Sequence, residues 1–200
     1  MKKRLSLLLA VFAVPLLTAH LALAEDASEG VVAPSAEEVK PLEKGKKLPA
    51  VTLVNPKGEE VALSSITEGK PTVVVFYRGG WCPYCNTHLA ELGQSEAELK
   101  EMGYQILALS PDGAQYAAET AGKEEIGYQI YSDNSLAAAK AFGVAFKMPA
   151  ETQKQYQGYL KDRKDHDFGV LPVPAVFIAD KEGVIQFVYF NADYKVRLSK

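Results

Sequence analysis

Runs of β-branched and aromatic residues alternate with stretches of helical spacing along most of this chain. Thr72-Val73-Val74-Val75-Phe76-Tyr77 is continuously apolar, which suits a strand covered on both faces. Leu89, Leu92, Leu99 and Met102 then recur at roughly helical intervals, and Gly103 marks a stop. Tyr104 to Ser110 predicts another strand, and Ala114 to Lys123 a helix. Ile130-Tyr131 reads as a short strand, and Ser135 to Phe142 as a short helix ended by Gly143. Ala175 to Ala179 and Val184 to Phe190 flank the turn Lys181-Glu182-Gly183 and predict a terminal hairpin. Upstream, Val51 to Val54 and Val61 to Leu63 flank Asn55-Pro56-Lys57-Gly58 and predict a first hairpin. Ser64 or Ser65 is placed to cap a helical turn, and Asp112 to cap the helix after Pro111.

This order predicts an α/β domain. A central mixed sheet is flanked by helices, with the N-terminal hairpin as an extension. Crossover helices make the inner strands parallel, and the terminal hairpin adds an antiparallel edge. Residues 147–169 interrupt the pattern. They are polar and helix-permissive, and read as an insertion.

The chain divides into three parts. Residues 1–24 have the form of a secretory signal peptide: Lys2, Lys3 and Arg4, an apolar run from Leu5 to Leu17, then Ala22-Leu23-Ala24. The apolar run falls short of the ~20 residues of a spanning helix, and Pro15 interrupts it. Cleavage after Ala24 would leave no stable membrane insertion, and a periplasmic protein is expected. Residues 25–47 are rich in Ala, Glu, Lys and Pro and read as a flexible linker. Residues 48–200 form the domain.

The formal net charge is −3, and no basic run follows the first residues, so nucleic acid is not expected as a partner.

The chemistry concentrates at FYRGGWCPYCN, residues 76–86. Cys82 and Cys85 are the only cysteines of the chain. A loop this short constrains little of the unfolded chain, so stapling is a poor reason for it. The pair lies between a buried strand and the helix it feeds. The partial positive charge at a helix start favours a thiolate. Pro83 suits the first helical turn. A thiolate attacks a disulfide or a peroxide, and a second thiol three residues on resolves the intermediate. A closed zinc site wants four ligands, and beyond the signal the only histidines are His88 and His166. A thiol-based metal binder or carrier without redox turnover is the alternative class. Arg78 is placed either to stabilise a thiolate or to end its strand in solvent. Trp81 reads as a packing platform, and His88 and His166 as exposed or partly exposed.

At FYRGGWCPYCN, and again at LPVPAVFIADKEGVIQFVY, the chain resembles the thioredoxin superfamily. More closely it is similar to the peroxiredoxin-like branch of the alkyl-hydroperoxide-reductase and thiol-specific-antioxidant (AhpC/TSA) family, over about Leu48 to Leu198. The resemblance implies a thioredoxin-like fold with a redox-active site at the first long helix. It implies an oxidoreductase: thiol–disulfide exchange, with thiol-dependent reduction of peroxides. The partners implied are a peroxide or disulfide substrate and a thiol electron donor, either thioredoxin-like or a membrane thiol relay. No cofactor and no metal are implied. Cys82 and Cys85 would be catalytic, with Trp81, Pro83, Tyr84, Arg78, Val173 and Pro174 shaping the site. Val173-Pro174 is expected to be a cis peptide packed beside the cysteines.

The sequence also departs from the family. Peroxiredoxins carry a threonine three residues before the peroxidatic cysteine and an arginine on a later strand. Aligned here, Cys85 takes the peroxidatic position, Cys82 replaces the threonine, and Pro174 falls about where the arginine would be. Two orders of attack fit: Cys82 on a disulfide with Cys85 resolving, or Cys85 on a peroxide with Cys82 closing the bond. Helix geometry favours Cys82 as the more exposed sulfur. Only nine residues follow Asn191, too few for a stable terminal helix.

Overall fold

The computed structural model describes residues 30–165 and 168–198. The expected signal peptide and His166 lie outside them. A hairpin of β1 (Thr52–Val54) and β2 (Glu60–Ala62) leads into the short helix α1 (Leu63–Thr67). Then come β3 (Thr72–Phe76), α2 (Pro83–Gln94), α3 (Glu96–Glu101), β4 (Gln105–Ser110), α4 (Ala114–Lys123) and β5 (Gln129–Ser132). After α5 (Ala137–Ala141) come β6 (Ala145–Lys147), α6 (Ala150–Tyr159), β7 (Val170–Pro172), β8 (Ala175–Ala179) and β9 (Ile185–Phe190).

Seven strands form one mixed sheet in the order β2-β1-β5-β4-β3-β8-β9. β3 runs parallel to β4 and antiparallel to β8, and β4 runs parallel to β5. Helices cover the sheet, giving the expected α/β architecture. The hairpin joins the sheet through Val54 opposite Ser132.

β3 is buried at every position because both its faces are covered. Val74 and Phe76 enter one core cluster with Phe142 and Phe177. Val73, Val75 and Tyr77 enter the other, with Leu89 and both cysteines. The alternation of a strand therefore decides which cluster holds the site.

Residues 30–47 differ from the flexible linker expected. Ala33 and Val39 are buried in the core. The Ala33 N–H donates to the Ala145 carbonyl at 2.9 Å, and the Lys147 N–H donates back to Ala33 at 2.9 Å. At Gly143 (φ +71°) a Cβ would lie 2.0 Å from the Lys40 carbonyl oxygen. The segment is laid on the domain as single irregular contacts, which leave no periodic pattern to read.

Smaller corrections concern the helices. The expected helix to Met102 is two helices broken at Ser95. Met102 is exposed rather than in the core. The insertion contains α6, and β7, which follows it directly, pairs with β6 in a separate two-stranded sheet. No helix follows β9 among the described residues, as expected.

Candidate active site

The chain leaves β3 at Tyr77 and turns through Gly79 and Gly80 into α2. Cys82 is the N-cap, with extended backbone (φ −96°, ψ 110°), and Pro83 opens the helix. Two close approaches require glycine in this turn. A Cβ on Gly79, which has φ +145°, would lie 2.2 Å from Trp81 Nε1. One on Gly80 would lie 1.8 Å from Thr120 Oγ1.

Both cysteines are free thiols and both are buried, at 2% and 1% exposure. Cys82 is therefore as shielded as Cys85, contrary to the expectation from helix geometry. The reason is tertiary. The segment after β9 folds back so that Tyr194 and Leu198 pack on the cysteine cluster.

The two sulfurs share one proton unequally. The Cys85 thiol donates to the Cys82 sulfur, and with Arg78 and Arg197 nearby Cys82 is brought down to about 6. Burial and the Cys82 charge push Cys85 up. Deprotonation is thus favoured at Cys82 over Cys85.

Two guanidiniums face the pair. Arg78 is buried at 3% exposure, so it does not end its strand in solvent. It sits over the rings of Tyr194 (4.2 Å), Trp81 (5.1 Å) and Tyr156 (5.3 Å), and donates to the Tyr156 hydroxyl at 2.8 Å. Among the described residues no carboxylate pairs with it. A buried cation without an anion is costly, which favours negative charge on the Cys82 sulfur nearby. Arg197 was not legible in the sequence. Its Nη2 donates to Cys85 Sγ at 3.4 Å, while Nη1 donates to the carbonyls of Tyr194 and Val196.

The insertion builds one wall. Trp81 packs on Tyr156 (5.1 Å) and edge-on to Phe168 (5.7 Å). Asp112 is fully buried and does not cap α4, whose N-cap is Gly113. Instead it accepts from the Gly80 N–H and from Arg163, each at 2.7 Å. Tyr84 is 46% exposed and stacks edge-on to Tyr194 at 5.8 Å. His88 is buried, not partly exposed. Burial, with Arg197 adding to it, lowers it to about 4, so it is neutral near pH 7.

Val173 and Pro174 correct the sequence reading. No described peptide bond is cis. Pro174 is trans and directly precedes β8, where its missing N–H costs no ladder bond. Val173 lies in the first core cluster, on the side of the sheet away from the cysteines. The Pro174 carbonyl accepts from the Asn191 N–H at 3.2 Å and anchors the start of the C-terminal segment.

A groove of about 680 Å³ runs beside Gly80, Trp81, Pro83 and Asn86. A larger hollow, about 1630 Å³, lies by β1, α1 and α5 and includes no residue of the cysteine turn. Among the described residues no three His, Cys, Asp or Glu side chains gather as metal ligands.

A mixed sheet with a cysteine pair at the start of its first long helix is a thioredoxin-like arrangement. Residues 44–188 match the AhpC/TSA family, and this chain belongs to that family. It is 35% identical over 104 residues to a peroxiredoxin bcp homologue of Haemophilus influenzae, covering 52% of this chain and 66% of that one. It is 29% identical over 148 residues to chloroplastic peroxiredoxin Q of Oryza sativa subsp. japonica, covering 74% and 59%. The chain thus spans a little under two thirds of these relatives. Among solved structures it resembles reduced Prx3 of Vibrio vulnificus in complex with H2O2: TM-score 0.66, 19% identity, coverage 79% and 93%. Peroxidoxin BcpB of Mycobacterium tuberculosis gives a TM-score of 0.61 at 19% identity, with coverage 74% and 86%. These likenesses support the thioredoxin-like fold.

Proposed function

We propose that this chain is a thiol-dependent peroxidase whose product is the Cys82–Cys85 disulfide. The observation that carries this is a pair of buried free thiols, three residues apart in the chain, faced by two guanidiniums. A peroxide is small enough to enter such a site. The thiolate sulfur attacks one peroxide oxygen and the O–O bond breaks. Sulfur is oxidised by two electrons to a sulfenic acid, and the departing oxygen takes a proton to become an alcohol or water. The second thiol then displaces hydroxide, which leaves as water with that thiol's proton, and the disulfide closes. A thiol donor reduces the disulfide by exchange.

A second use of the site is favoured by the low value of Cys82. That sulfur attacks a disulfide of a protein, and Cys85 resolves the mixed disulfide. The pattern of residues 1–24 supports export, and we place both activities in the periplasm. The amino terminus of protein recovered from that compartment is expected at Glu25.

The test is peroxide consumption by the pre-reduced protein, with disulfide followed by mass. One disulfide per peroxide is expected, and neither Cys82→Ser nor Cys85→Ser should turn over. Consumption unchanged in both variants would refute the reading. Tight binding of one zinc ion per reduced chain, with no peroxide consumed, would favour the metal-binding alternative.

A further inference from the structure

Arg78 lies two residues after β3 and is almost wholly buried. A guanidinium carries five N–H donors, and a buried one is usually paired with an anion. Here its neighbours are rings. Tyr194, Trp81 and Tyr156 surround it, and its Nη2 donates to the Tyr156 hydroxyl at 2.8 Å. Its Nε is buried and meets no acceptor among the described residues.

Ring faces attract a cation through their quadrupole, and a phenol oxygen accepts a hydrogen bond without carrying charge. A carboxylate in the same place would cancel the positive charge. The aromatic cage therefore fixes the guanidinium and leaves its field to the sulfurs. The hydrogen bond from Cys85 lowers Cys82 most, and the charges of Arg78 and Arg197 lower it further.

One of the three rings comes from the insertion. Tyr156 lies 78 residues from Arg78 in the chain, on α6, a helix with no fully buried residue. Its half-buried ring packs on Trp81 at 5.1 Å and on Phe168 at 6.4 Å. Tyr159, on the same helix, is 81% exposed. Packing alone would need only the ring of Tyr156. The hydroxyl is spent on Arg78.

We propose that Tyr156 is a positioning residue of the redox site: its hydroxyl and ring orient the Arg78 guanidinium toward the Cys82 sulfur without neutralising it. This deepens the redox role of the pair proposed above and rests on it. Tyr156 acts through Arg78. The phenol oxygen holds one arm of the guanidinium fork, and the ring limits its rotation. The insertion is thereby a working part of the site.

A double-variant cycle tests this, read by the thiolate absorbance of the reduced full chain with no peroxide present. The Cys82 midpoint, about 6 in the wild type, should rise in Arg78→Gln by about one pH unit, as expected for loss of a nearby opposite charge. Tyr156→Phe keeps the ring and removes only the hydroxyl, and should give about half that rise. In the Arg78→Gln background, Tyr156→Phe should add nothing, because no guanidinium is left to position. Tyr159→Phe should match the wild type. An unmoved midpoint in Tyr156→Phe would make the residue packing only and overturn the proposal. An equal rise with and without Arg78 would overturn it too, since Tyr156 would then act on Cys82 by another route. Tyr156→Phe preserves the packing, so that arm still decides if Arg78→Gln does not fold. Wild type that consumes no peroxide would instead sink the redox reading, and the midpoints would still judge Tyr156.

Discussion

Arg163 and Asp112 form an ion pair of 2.7 Å in which the carboxylate is fully buried, joining the insertion to the turn that carries the cysteines. The second Asp112 oxygen holds the Gly80 N–H. Arg163 also pairs with Asp165 at 2.7 Å and lies 3.8 Å from the Tyr116 ring. The insertion is thereby a support of the site.

Removing one partner leaves the other charge buried. Arg163→Met is expected to cost about 3–5 kcal/mol, because the buried Asp112 carboxylate then loses the cation that faces it. Adding Asp112→Asn should recover part of that loss. Urea denaturation of the two single variants and the double variant measures the coupling. Strict additivity would count against the pair.

The sulfur pair predicts one thiolate at neutral pH. Absorbance at 240 nm of reduced protein should rise with a midpoint at about 6, by one thiolate, with the second appearing only well into the alkaline range. The sign for stability follows. Cys82 is depressed in the folded state, so its contribution is full above the ordinary thiol range and is lost as pH falls through about 6. Trapping should agree: Cys85→Ser should capture protein partners through Cys82, and Cys82→Ser should capture few. Capture mainly through Cys85 would reverse the assignment.

Asp133 gives the opposite sign. It is buried, accepts from the Ala138 and Ala139 N–H groups at 2.9 and 2.7 Å, and burial raises it to about 7. The folded state therefore keeps a proton that the unfolded chain has released. This contribution is full below pH 4 and is lost as pH rises to about 7, each unit being worth about 1.4 kcal/mol. Asp133→Asn should lack this decline. Stability curves at pH 5 and pH 8 that run parallel for the two proteins would refute it.

Gly80→Ala should strain the cysteine turn, since its Cβ falls 1.8 Å from Thr120 Oγ1. Overpacking of this kind costs about 1–3 kcal/mol. Thr120→Ala removes the hydroxyl and should restore part of the loss and of the peroxide rate. No rescue in the double variant would show that backbone conformation, not this contact, requires the glycine.

The sequence by itself determined the sheet and the place of its chemistry. The apolar run at β3, the matching helix at 114–123 and the terminal hairpin carry their periodicity locally, so they were legible. Cys82 and Cys85 were legible because strand, turn and helix start are contiguous in the chain. Tertiary structure decided what surrounds the sulfurs. Arg197 lies 112 residues from Cys85, and Asp112 and Arg163 reach Gly80 from a loop and an insertion. Such contacts leave no period in the chain. A local helix rule left Cys82 exposed, whereas the returning C-terminal segment buries it. The family pattern made Val173-Pro174 a cis turn, whereas the bond is trans just before β8, with Val173 in the opposite core. Burial and charge at a site are sums over elements distant in sequence, and only the folded chain performs that sum.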